Sequence, residues 1–304
     1  MEKQNLKSGF VTIIGRPNVG KSTLVNQIMG RKIAIMSDKP QTTRNKIRAI
    51  YTDPARGQVV FIDTPGIHRP KSKLGSYMMD MTLTSLNEVD LILYLIDVTK
   101  EFGPGEEFIL EQLNQVKGTP TYLILNKIDL VEPEALLPII DNYRTRASFA
   151  EIIPLSAKHG NNMETLLDHV YAILPAGPNY YPVDQTTDYP EGFIVAELIR
   201  EKILDVMREE VPHSIAVVID SMKQGDINPK TVSISAIIYV ERNSQKGIII
   251  GKNGSMLKEI GQKAREDIEK LLGTRTYLEL WVKVEEDWRN KDHLLKELGY
   301  TIIE

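Results

Sequence analysis

The 304-residue chain contains no cysteine, which excludes disulfide cross-links and thiolate metal centres. Long hydrophobic runs are missing too. A representative one, LILYLI at 91–96, falls far short of the roughly 20 apolar residues that span a bilayer. The opening MEKQNLKSGF lacks the apolar core of a secretion signal, and neither end carries a lipidation pattern. Internal repeats and low-complexity tracts are absent. Together these absences predict a soluble, cytoplasmic chain. What is present is enough apolar material, 42%, for real cores, and a length that suggests two domains. The net charge of −4 conceals local basic patches, and for nucleic-acid partners it is the patch that counts. Residues 1–50 hold ten Lys/Arg against two Asp/Glu, and residues 242–265 hold six against Glu259 alone.

Up to about residue 174, continuous apolar runs alternate with amphipathic stretches. FVTIIG, KIRAIYT, QVVFIDT, DLILYLID, TYLILN and EIIPLS read as strands with helices between them. This is the pattern of an α/β domain with a mostly parallel sheet covered on both faces. Four prolines then punctuate LPAGPNYYPVDQTTDYP and make an extended connector. Beyond it the order is a long helix over about 191–210, two alternating strands, two helices, a third strand and a short closing helix. That is a smaller α+β domain. The expected boundaries are 8–174, a linker at 175–190, and 191–304.

Residues 15–22, GRPNVGKS, follow a strand and open a helix, which is the setting of a phosphate-binding loop. Gly15 and Gly20 let the backbone through Arg16, Pro17, Asn18 and Val19 turn so that its N–H groups, absent only at Pro17, face phosphates. The helix N-terminus, near Lys21 with Thr23 just inside it, adds partial positive charge. Lys21 would reach the β- and γ-phosphates, and Ser22 would hold Mg²⁺. DTPG, Asp63 to Gly66, ends a later strand where a carboxylate can reach Mg²⁺ through water. NKID ends a buried strand. There Asp129 can accept from N1–H and the 2-amino group of guanine, which adenine lacks. SAK, with Ser156, Ala157 and Lys158, ends the next strand, where the Ala157 amide could face guanine O6.

These four motifs, in this order, resemble the translation-factor-like GTPases of the Era family, over about residues 8–174. The resemblance implies that Asn126 contacts guanine N7 and that Lys127 lies along the base. It also implies that KPQTTRNKI at 39–47 is the first switch, with Thr43, or alternatively Thr42, as a second Mg²⁺ ligand. In better-known small GTPases a glutamine follows the glycine of the third motif and orients the attacking water. Here that residue is Ile67, which predicts slow intrinsic hydrolysis. The resemblance further implies that Asn18 seats K⁺, a charge that elsewhere comes from an arginine finger.

A second glycine loop, GIIIGKNG at 247–254, invites the same reading and fails it. Three residues separate its first two glycines instead of four, and Asn253 offers no hydroxyl to Mg²⁺. It fits G-x-x-G between two helices, Gly251-Lys252-Asn253-Gly254, the backbone clamp with which KH domains grip about four nucleotides of a single strand. Lys252 and Lys258 bring positive charge. Ile248, Ile249, Ile250 and Leu257 are candidates for an apolar floor under the bases. The element order matches the type II KH fold, and the signature resembles that of the Era family. The family would supply GTP and GDP as ligands, small-subunit (16S) ribosomal RNA near its 3′ end and the 30S subunit as partners, a role in 30S assembly, a monomeric state, and loose association with the cytoplasmic face of the membrane. Two other readings stay open: an RNA-binding nucleotide sensor with negligible turnover, and a membrane-associated signalling GTPase.

Overall fold

The computed structural model describes residues 6–39, 41–207, 211–224 and 231–300. Pro40 of the expected switch and the last three residues of the helix expected over 191–210 lie outside them. Contacts divide the chain into two compact units. The first is Met1–Met36, Thr43–Arg69 and Met78–Asp188; the second is Ser37–Thr42, Pro70–Tyr77 and Tyr189–Glu304.

In the first unit the apolar runs form one six-stranded sheet. Its strands are β1 (Lys7–Ile14), β2 (Ile47–Asp53), β3 (Gly57–Asp63), β4 (Leu91–Asp97), β5 (Thr121–Asn126) and β6 (Glu151–Leu155), in the order β2-β3-β1-β4-β5-β6. All pairings are parallel except that of β2 with β3, which is antiparallel. The central strands β4 and β5 are almost wholly apolar because both faces are covered. Val11, Ile13, Leu93 and Ile124 pack with Leu24, Val25, Leu166 and Val170 of helices α1 (Lys21–Met29) and α5 (Met163–Ile173). Ile14, Ile92, Tyr94 and Leu123 face the other way. There they meet Met79 and Leu86 of α2 (Lys73–Leu86), Ile109 and Leu113 of α3 (Pro104–Leu113), and Tyr143 of α4 (Leu136–Arg144). Consecutive residues serve opposite cores, the side-chain period of two that strands impose. β1 pairs with both β3 and β4, so the chain winds outwards from it on either side. This is the switch point at which open α/β sheets bind ligands.

The second unit follows the expected order. Helix α6 (Glu191–Val206) leads to β7 (Ala216–Gln224), β8 (Thr231–Val240), α7 (Asn243–Ile250), α8 (Ser255–Leu272), β9 (Arg275–Val284) and α9 (Asp292–Glu297). β7 and β8 pair antiparallel, while β8 and β9 pair in parallel. On β8 the even-numbered Ile234, Ala236, Ile238 and Val240 are buried, and the odd-numbered residues are only partly so. The helices therefore cover one face of this sheet. Ser37–Thr42 groups with this unit partly through Arg200. That guanidinium is buried, is held by Glu197 at 2.6 Å, and donates to the carbonyls of Gln41 and Thr42. α6 ends at Val206, because Met207 turns to extended backbone. Among the described residues no helix is long and apolar enough to cross a membrane.

Candidate nucleotide site and nucleic-acid groove

The loop after β1 runs from Gly15 to Gly20 and opens α1 without a side-chain cap, which leaves the first amides of the helix available to a ligand. Glycine is needed at both ends. Gly15 and Gly20 have φ of +151° and +104°, and a Cβ on Gly20 would sit 2.3 Å from Asn126 Nδ2. Lys21 is buried beneath the loop and donates to the carbonyls of Gly15 at 3.2 Å and Arg16 at 3.0 Å. Burial lowers its pKa to about 8, with Asp63 opposing. Arg16 is pinned by Glu106 of α3 at 2.9 Å.

Three oxygen-bearing side chains converge behind the loop. Ser22 Oγ donates to Asp63 Oδ2 at 2.7 Å, Thr43 Oγ1 donates to the same atom at 3.4 Å, and the two hydroxyls are 3.1 Å apart. Thr42 Oγ1 is used locally, donating to the Lys39 carbonyl at 2.6 Å. Of the two threonines it is therefore Thr43 that lies against Asp63. Asp63 is fully buried, and its Oδ1 has no hydrogen-bond partner. Burial raises its pKa, while Lys21, Ser22 and Thr43 oppose. Two hydroxyls beside a carboxylate with one orphaned oxygen suit a hard cation that takes the hydroxyls, reaches the carboxylate through water and completes its shell with phosphate and water, as Mg²⁺ does. Among the described residues no cluster of three or more His, Cys, Asp or Glu could hold a metal.

The remaining motifs gather at the same edge of the sheet. Asn126 is buried and works as a fork: its Nδ2 donates to the Val19 carbonyl at 2.7 Å, and its Oδ1 accepts from the Ala157 amide at 2.9 Å. The Ala157 amide therefore donates to Asn126, and Ala157 with Ser156 also lines the cavity at this edge. Lys127 sits at φ +69° and spans the loop, donating to the Asn18 carbonyl at 2.9 Å and to Asp97 at 2.6 Å. Asn18 itself is exposed, at φ +65°. A hydrogen bond from the Ser156 hydroxyl holds the Asp129 carboxyl below its usual range. Gly20, Thr23, Asn126, Lys127, Asp129 and Lys158 are among the residues that line a cavity of about 500 Å³. Met36, Asn26, Gln27 and Leu130 also line it, and no motif named them; only the fold brings them there. Gly66 lies against the loop, where a Cβ would be 2.7 Å from the Pro17 nitrogen. Ile67 is buried in the core, its amide bonded to the Gly15 carbonyl at 3.1 Å, so it cannot orient water.

In the second unit, α7 ends at Ile250 and α8 starts at Ser255. Between them Gly251, Asn253 and Gly254 all take positive φ, of +71°, +52° and +76°. A Cβ on Gly251 would meet the Met256 Cβ at 2.7 Å. Lys252 and Asn253 are exposed at the tip. Beside them is a groove of about 350 Å³, lined by Gly254, Leu257, Lys258, Gly261, Gln262, Arg265, Leu278 and Leu280. The isoleucine run does not form its floor. Ile249 is fully buried in the core, Ile248 is 52% exposed, and Ile250 is half-buried; none of the three lines the groove. In a helix, consecutive residues point about 100° apart, so the three cannot share one face. Leu257, Leu278 and Leu280 supply the apolar surface instead. Helical spacing from Gly254 (258, 261, 265) and strand alternation in β9 are the signals that would have found the rest.

The comparisons agree with both halves. A family model described as 50S ribosome-binding GTPase matches residues 10–127, and one described as KH domain matches 210–289. A crystal structure of an Aquifex aeolicus Era variant bound to GDP·AlF4⁻ is 42% identical, with a TM-score of 0.94 over 98% of this chain and 100% of that one. A structure of Era with MgGDPNP and nucleotides 1506–1542 of 16S ribosomal RNA matches at 42% identity and a TM-score of 0.95, with the same coverage. With a phosphate-loop GTPase unit followed by a KH unit, and with that identity along nearly its whole length, the chain belongs to the Era family of GTPases.

Proposed function

We propose that this chain hydrolyses GTP with Mg²⁺ and binds single-stranded RNA of the small ribosomal subunit near its 3′ end, acting in 30S assembly. The observation that carries the enzymatic half is the convergence of Ser22, Thr43 and the unsatisfied Asp63 oxygen behind a loop whose lysine is buried. Mg²⁺, when bound, would neutralise charge developing on the transferring phosphoryl group. Ser22 and Thr43 would hold it directly, with Asp63 reached through water. Loop amides from Gly15 to Lys21 would cradle the phosphates, and Lys21 would meet the β- and γ-oxygens. Asp129 would select guanine, with Asn126 tying base pocket to phosphate loop. Because the residue after Gly66 is apolar and buried, hydrolysis is slow unless K⁺, seated at Asn18, adds charge. Multiple-turnover phosphate release in Mg²⁺ tests this. Release stimulated by K⁺ over Na⁺ at equal ionic strength, and the stimulation lost in Asn18→Ala that still binds GDP, is the expected result. Absence of turnover in both salts would leave a nucleotide sensor.

The RNA half is supported by the glycine clamp at 251–254 and the groove beside it. The specific partner, small-subunit RNA, is proposed from the RNA-bound relative. Peripheral association with the cytoplasmic face of the membrane belongs to the same proposal, and vesicle co-sedimentation in the absence of RNA tests it.

A further inference from the structure

The second unit carries an aromatic surface that the groove does not use. Strand β9 alternates. Leu278 and Leu280 turn towards the groove, while Tyr277 and Trp281 point to the opposite face of the sheet and are 64% and 58% exposed. Strand register places Ser233 and Lys223 beside Tyr277, and Ile237 and Val218 beside Trp281. Four residues along a strand set the two rings about 13 Å apart. Among the described strands β9 pairs only with β8, so it is an edge.

We infer that this open sheet face is a second nucleic-acid surface, on which bases of the strand leaving the groove stack against Tyr277 and Trp281. The inference rests on the RNA reading above. Three observations favour a nucleic-acid strand as the occupant. The face is continuous with the groove, because one strand lines both, and a chain leaving the groove has only to cross an edge. Sequence-tolerant base stacking needs exposed aromatic rings with cations nearby. Lys223 and Arg275 flank Tyr277, and Lys283, although paired with Glu285 at 3.2 Å, lies over the Tyr239 ring. Finally, Arg275, Glu279 and Lys283 on the edge strand discourage pairing with a second copy.

Fluorescence of the full chain tests this directly. Of the two tryptophans, Trp288 is fully buried, its indole donating to the Ser214 carbonyl at 2.9 Å. A strand that reaches the open face therefore reports through Trp281. Oligouridylates of about five nucleotides, enough for the clamp, and of about twelve are titrated. The longer strand should quench Trp281 and bind more tightly, and the shorter should bind without quenching. Tyr277→Ala and Trp281→Ala should each weaken the longer strand about tenfold and leave the shorter unchanged. Trp281→Phe should restore most of the loss. Equal affinity of parent and variants for the longer strand overturns the inference while leaving the clamp intact. Failure of both strands to bind the parent overturns the RNA reading itself. Two further results overturn the nucleic-acid assignment: a Trp281 response only to vesicles of anionic phospholipid, or a dimer that dissociates in Trp281→Ala.

Discussion

At the scale of single residues, the nucleotide site turns on two ionisable groups whose surroundings lower both pKa values, favouring the charge of one and opposing that of the other. The Ser156 hydroxyl keeps Asp129 ionised, the form that can accept two hydrogen bonds from guanine. Asp129→Asn reverses one of them. Guanine-nucleotide affinity should fall by about 3 kcal/mol, or about a hundredfold. Xanthosine nucleotides, which carry an oxygen at the 2-position, should gain; competition binding with both bases measures this. Lys21 is the opposite case, a cation held in a dry place. Its folded pKa of about 8 lies below the 10.5 of an ordinary lysine. Between those values the unfolded chain binds more protons than the folded one, so ligand-free stability must rise with pH. Below pH 8 the charged lysine is buried at a cost. Lys21→Met should remove that rise, worth at most about 3 kcal/mol. The difference between parent and variant urea curves from pH 7.5 to 10.5 isolates it from the buried tyrosines, which ionise at about pH 10 in the unfolded chain and are held higher by burial in the folded one.

At the scale of elements, the two glycine loops differ in what stands behind them. The first is backed by the convergence of Ser22, Thr43 and Asp63, the second by a helix and a strand edge. Lys252→Asp with Asn253→Asp should therefore abolish RNA binding and leave guanine-nucleotide affinity unchanged. Both positions are exposed, so stability should change by no more than about 0.5 kcal/mol; circular dichroism melts and filter binding check the two halves. RNA binding by the parent should weaken with salt by about 0.7 log units per phosphate neutralised. Which parts were legible beforehand follows from the same contrast. The loops of the first unit could be read because spacing and chemistry are fixed jointly by phosphate, metal and base. The helix-strand order of the second could be read from periodicity. The floor of its groove could not, because the run Ile248–Ile250 is equally apolar at every position and only the helix phase decides which side chain is buried. That Asn126 accepts from the Ala157 amide was not legible, because nothing in SAK reveals it. The exposed aromatics of β9 were hidden because a strand pattern does not say which of its two faces is covered.

At the scale of the whole molecule, one catalytic loop and one clamp imply a single nucleotide per chain. Equilibrium dialysis with a GTP analogue should give one equivalent, and the double substitution at 252 and 253 should leave it at one; two equivalents would restore the reading of a second phosphate loop. The central position of β1 carries a further consequence. Its residues Val11 to Ile13 are flanked by parallel strands on both sides and completely buried, so no partial opening frees their amides. They exchange hydrogen for deuterium only when the first unit unfolds, yet they lead straight into Gly15. A nucleotide at a hundred times its Kd should then slow their exchange by about 2.7 kcal/mol, close to a hundredfold, although it touches none of them. The slowest protons in the sheet thereby become a gauge of nucleotide affinity, read from the side of the molecule that the ligand never reaches.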